Sequence, residues 1–96
     1  MVVGILQVEL AIDGATSLKD KRRVVSSLKD RLHRQHQVSV AEIENQNDAR
    51  LAVLGIVLAA SDVPRAQIVL DRLLDRLRAG RGYHLADHRV EILSGQ

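Results

Sequence analysis

The chain has 96 residues, of which 46% are hydrophobic and 27% are charged, with a net charge of +2; this composition is typical of a globular protein and argues against a disordered one. The length predicts one domain, residues 1–96, because a second hydrophobic core would have no room. The chain has no cysteine, which excludes disulfides, thiolate-bound zinc and a cysteine nucleophile and agrees with a reducing compartment.

The first predicted elements are a strand and a helix. Residues 2–13 predict a strand, because large apolar side chains alternate with polar or small ones over residues 6–13, which is the period of a strand with one buried face. Ser17 followed by Asp20 predicts the start of a helix, because the serine oxygen can accept an amide of the first turn. The apolar stripe of this helix consists of Leu18, Val25, Leu28 and Leu32.

Two strands and a second helix follow. Residues 37–44 predict a strand, and residues 49–60 predict another that is apolar at both odd and even positions. Asp62 as a cap and Pro64 in the first turn predict a helix. Its buried face consists of Ala66, Val69, Leu70, Leu73, Leu74 and Leu77. Residues 89–93 alternate in polarity and predict a short last strand.

The element order β-α-β-β-α-β predicts an α+β fold of the ferredoxin-like, split β-α-β type. Such a fold has a four-stranded antiparallel sheet with both helices on one face and the other face open. We expect Leu54, Ile56 and Leu58 to point to the open face. A second copy of the chain or another protein would cover them there, and a modest exposed apolar patch is the alternative.

Positive charge is concentrated in the first helix. Residues 17–36 hold seven Lys and Arg against two Asp. Several of these cations lie near the helix start, where each opposes the helix dipole at a cost of about 0.3 to 1 kcal/mol. The pattern favours binding of phosphate groups, and a solvated helix face is the alternative. The expected anion-binding residues are Lys19, Lys21, Arg22, Arg23 and Arg34.

Lys21 has two interpretations, because it lies within the apolar stripe. Its methylenes would cover core residues while its ammonium pairs with a strand carboxylate such as Asp13. Alternatively, it helps to bind an anion at the start of the helix.

The segments "SLKDKRR", "VSVAEI" and "LGIVLAA" resemble those of the YlxP-like family, small bacterial proteins classed as a domain of unknown function. The resemblance covers nearly the whole chain and thins after Leu77. It implies a ferredoxin-like fold. Because genes of this family often lie among translation and ribosome-maturation genes, it also implies a role linked to RNA or the ribosome.

Other chemistries are disfavoured. Base stacking on the sheet needs aromatic rings, and the chain has no Phe, no Trp and only Tyr83. The four histidines lack a carboxylate or thiolate at ligand spacing, so no metal site is expected. Neither a nucleophile nor a phosphate-binding glycine loop is evident, so we expect no catalytic residue, no enzyme activity and no cofactor.

We therefore expect a non-catalytic module that binds RNA or a ribosomal particle through residues 17–36. The alternative is a homo-oligomeric interaction domain that works through the open sheet face.

Residues 1–13 lack the basic segment of a signal peptide, and no apolar run approaches the ~20 residues of a membrane span. We therefore expect a cytoplasmic location and no membrane contact.

Overall fold

The computed structural model describes residues 1–95 and has the predicted β-α-β-β-α-β order. The elements are β1 (Val2–Ile12), α1 (Leu18–His36), β2 (Ser39–Glu44), β3 (Leu51–Ala60), α2 (Val63–Arg78) and β4 (Tyr83–Ser94). The strands form one antiparallel sheet in the order β2-β3-β1-β4. This arrangement confirms the predicted α+β, ferredoxin-like fold.

The core lies between one face of the sheet and the two helices. Side chains of β1 alternate strictly between buried and half-buried, and its even-numbered residues face the helices. Buried residues of α1, among them Leu28 and Leu32, and of α2, among them Leu70 and Leu73, complete this core. The predicted apolar stripes of both helices therefore point inward, because helical spacing brings residues three and four apart onto one side.

The orientation of β3 is opposite to the predicted one. Leu54, Ile56 and Leu58 are at most 5% exposed and lie in the core beneath the helices, whereas Val57 on the other face is 43% exposed. The register explains this, since Leu6 of β1 faces inward and lies opposite Ile56. Directly paired residues share a sheet face. The expectation that the first three residues form an open-face interface was therefore wrong.

The last strand is longer than predicted. β4 begins at Tyr83 instead of residue 89 and pairs with β1 along its length, with a bulge at Glu9 and Leu10. It is an edge strand, and its middle carries polar side chains on both faces. Edge strands often carry charges that discourage pairing with other chains, so apolar alternation does not reveal where this one begins.

Both helices begin where the sequence predicts. Ser17 Oγ accepts a hydrogen bond from the Asp20 amide at 3.2 Å, and Asp62 Oδ1 accepts one from the Arg65 amide at 2.9 Å. Gln37 ends α1 in the left-handed conformation, with φ 54°. Within residues 1–95, neither helix combines the length and apolar character that a membrane crossing requires.

Candidate anion-binding surface

Four of the predicted anion-binding residues form one exposed surface on α1, which we call the basic face. It consists of Lys19, Arg22, Arg23 and Arg34. Among the ion pairs of residues 1–95, none involves a member of this set. Arg34 Nε donates to the Asp30 carbonyl at 3.3 Å, and all four side chains are exposed, so an anionic partner could contact them.

Lys21 does not belong to the basic face. Its side chain is fully buried, and its Nζ lies 2.8 Å from Glu42 Oε2. The same ammonium donates to the carbonyls of Asn45 at 2.7 Å and Leu51 at 3.2 Å. The predicted pairing with a strand carboxylate is confirmed, although the carboxylate is that of Glu42 and not Asp13. The expectation that Lys21 contacts an anion was wrong, because no phosphate can reach it.

The first turn of α1 is occupied by an internal anion. Asp20 Oδ2 accepts hydrogen bonds from the Thr16 amide at 3.2 Å and the Thr16 hydroxyl at 3.1 Å. These bonds, first of all the backbone one, lower the pKa of Asp20, and the charge of Arg23 adds to the effect. The carboxylate therefore offsets the helix dipole locally. A second anion at this helix end is therefore disfavoured, and the side chains of the basic face are the better candidates for phosphate contacts.

A second basic region lies where the two helices meet the start of β4. It is a cavity of about 210 Å³, which we call the arginine pocket, lined by Leu28, Arg31, Arg76, Ala79, Gly80, Arg81 and Tyr83. No acidic side chain is among these lining residues. The Nε atom of Arg31 is shielded from solvent, and no acceptor in the described part of the chain bonds to it.

The electrostatics of nearby titratable groups show how far the positive charge extends. Burial raises the pKa of Tyr83, and the charges of Arg31 and Arg76 oppose that rise. Burial also lowers the pKa of His36, and the charges of Arg76 and Arg72 lower it further. Arg76 therefore acts on groups at both sides of the α1–α2 junction, which makes this junction a region of positive potential.

Sequence reasoning missed the arginine pocket. Arg31 lies on α1, whereas Arg76 lies in the last turn of α2 and Arg81 in the loop that follows. Only the packing of α2 beside α1 brings these arginines together. One signal was available: the chain's single aromatic residue, Tyr83, follows two glycines at the end of a helix. A Cβ atom at Gly80 would collide with the Tyr83 hydroxyl, so the glycine is required for the ring to close this end of the pocket.

The acidic and histidine side chains do not converge in the same way. Glu42 and Glu44, which share a strand at spacing two, are separated by a register shift, and Glu42 is bound to Lys21. His84 Nε2 lies 3.1 Å from Asp13 Oδ1. Within residues 1–95, no three His, Cys, Asp or Glu side chains are grouped so that they could hold a metal ion.

Comparison with known proteins identifies a family but no activity. No curated protein matches the chain significantly. A family model described as a protein of unknown function, DUF503, matches residues 3–90. The matched span includes the basic face, the Lys21–Glu42 ion pair and the arginine pocket. The chain therefore belongs to the DUF503 family.

Proposed function

We propose that the chain is a non-catalytic, cytoplasmic module that binds the phosphate backbone of RNA, free or within a ribosomal particle, through the basic face of α1. The observation that carries this proposal is the set of four exposed cations on one helix face without an ion-pair partner in residues 1–95. The resemblance to YlxP-like proteins, whose genes often lie among translation genes, supports it further.

Such binding would recognise the charge and shape of the RNA backbone and not the sequence of its bases. Lys and Arg contacts to phosphates position a protein on nucleic acid without distinguishing bases. Sequence readout of single-stranded RNA usually needs aromatic rings, and the only one in this chain, Tyr83, is 3% exposed. Four phosphate contacts would lose roughly 50- to 150-fold in affinity between about 50 and 200 mM salt.

The proposal is tested by co-sedimentation with ribosomal subunits and with free ribosomal RNA at these two salt concentrations. The double variant Arg22→Glu/Arg23→Glu reverses two charges of the basic face. The variant Arg50→Glu/Arg89→Glu makes the same change in net charge at two exposed positions outside the helices. We expect the first variant to lose binding and the second to retain it. Equal binding by both would remove α1 from the interface.

A second candidate function is self-assembly through the open sheet face. Val57 is 43% and Leu93 is 47% exposed. The register places Val57 opposite Ile5 and Leu93 opposite Val3, so these apolar side chains share that face. A two-fold dimer would cover the same patch on each copy. Light scattering at about 50 μM tests this: a mass near that of two chains that falls to one in Val57→Lys supports the dimer, and a monomeric wild type excludes it.

A further inference from the structure

The arginine pocket is separate from the basic face and has no role in the function proposed above. Its three arginines come from the second half of α1, the last turn of α2 and the loop before β4. Arg76 has a structural explanation, because a cation in the last turn of a helix interacts favourably with the helix dipole. Arg31 and Arg81 have no such explanation. Their charges add to the positive potential of the pocket, which favours a bound anion.

The incomplete hydrogen bonding of Arg31 also favours a ligand at this position. A guanidinium has five N–H donors and no acceptor, so its hydrogen-bond partners are oxygen atoms of protein groups, water or anions. Its Nε is shielded from solvent and has no acceptor within residues 1–95. Shielded donors without a partner are rare in folded proteins because each one costs free energy. An anion in the pocket would contact the terminal Nη donors of Arg31, and its oxygens would reach Nε only if the Arg31 side chain rotates on binding.

The size and lining of the pocket restrict the class of anion. Its volume of about 210 Å³ is below the roughly 300–1,000 Å³ of typical ligand and cofactor sites. It would hold a phosphate group and the first atoms attached to it. Guanidinium groups bind phosphate oxygens in pairs, and three of them match a doubly charged group better than a singly charged one.

We propose that the arginine pocket binds a phosphate monoester, with Arg31, Arg76 and Arg81 contacting its terminal oxygens. The monoester is either that of a small phosphorylated molecule or the terminal phosphate of a nucleic acid chain, since both present the same dianion. An internal backbone phosphate fits less well, because it carries one charge and has chain on both sides.

The chain provides its own reporter for this site. Tyr83 is the only aromatic residue, and it lines the pocket. Its fluorescence is therefore followed while inorganic phosphate is added at constant ionic strength, with sodium chloride as the reference salt. We expect a saturable change with phosphate only. An identical response to both salts would overturn the proposal.

Two variants test whether phosphate binds in the arginine pocket. Arg31→Gln removes a pocket charge, and we expect it to weaken phosphate binding at least tenfold. Arg65→Gln removes a charge from the first turn of the same α2 helix that carries Arg76, and we expect it to bind like the wild type. Thermal unfolding of both variants checks that they fold. If folded Arg31→Gln retained wild-type affinity, the pocket would not be the binding site.

Oligonucleotides with a 5′-phosphate or a 5′-hydroxyl distinguish the two sources of the monoester. At least tenfold tighter binding of the phosphorylated one, lost in Arg31→Gln, would assign the pocket to a chain terminus. Inorganic phosphate binding without that preference would assign it to a small molecule. Neither result depends on the basic face, so the Arg22→Glu/Arg23→Glu variant should give the same Tyr83 titration even if RNA backbone binding fails.

Discussion

Lys21 explains how a charged residue can occupy the apolar stripe of α1. Its ammonium contacts the Glu42 carboxylate on β2, the Asn45 carbonyl in the following turn and the Leu51 carbonyl on β3. One side chain therefore fixes both strands of the β2–β3 hairpin to the helix. Burial of a charge is costly, but an opposite charge and two further hydrogen bonds offset that cost here.

Loss of this ammonium should destabilise the fold strongly. In Lys21→Met, the Glu42 carboxyl group, which is 17% exposed, loses its partner, and the unfolding free energy should fall by about 3–5 kcal/mol. Urea denaturation measures this, with Lys29→Met on the same helix as the control. The double variant Lys21→Met/Glu42→Leu should recover part of the loss. A cost below about 1 kcal/mol for Lys21→Met would contradict the role assigned to the ion pair.

His36 should make stability depend on pH. Burial and then the charges of Arg76 and Arg72 lower its pKa below the ordinary 6.5, so the unfolded chain takes up a proton at a higher pH than the folded chain. The unfolding free energy should therefore fall as the pH drops from above 6.5 through the lowered pKa. Urea denaturation at pH 7.5 and 5.5 should show a smaller loss in His36→Gln than in the wild type. An unchanged loss would exclude this histidine as a contributor.

At the level of elements, the start of α1 depends on local hydrogen bonds that the sequence pattern predicts. Ser17 accepts the Asp20 amide, and Asp20 in turn accepts from Thr16. Ser17→Ala should lower the unfolding free energy by about 1 kcal/mol, because the amide loses its acceptor. Ser27→Ala, an exposed position in the middle of α1, is the matched control and should not destabilise. Equal stability of the two variants would show that the cap contributes nothing.

The helices and strands also show which structural features can be predicted from the sequence. Helix periodicity, caps and element order are local signals, and they predict both helices and the fold. The orientation of β3 is not local, because its two faces are both apolar and only its pairing with β1 selects the inward one. The arginine pocket likewise cannot be predicted from local sequence patterns, since Arg31 and Arg76 come together only when α1 and α2 pack on the sheet.

Across the whole molecule, charge is divided between the two layers. Together α1 and α2 carry eleven Lys and Arg against four Asp, whereas the remaining residues carry three Arg against eight acidic residues. On the open face of the sheet, Glu9, Asp87 and Glu91 are accompanied by Arg89. A polyanion would therefore approach the helical layer and be repelled from much of the sheet, which orients the encounter before any contact forms.

This division predicts how salt should act on the proposed RNA binding. Lys19 and Arg34 lie 15 residues apart on α1, about 22 Å along its axis, so the basic face can follow several successive phosphates. Each contact to single-stranded RNA contributes about 0.7 to the slope of log affinity against log salt. Removing one charge by Arg34→Gln should reduce the magnitude of that slope by about 0.7, whereas Arg89→Gln on the open face should leave it unchanged. Filter binding between about 50 and 200 mM salt measures both slopes. Equal slopes for the two variants would mean that net charge, and not the helical layer, controls the association.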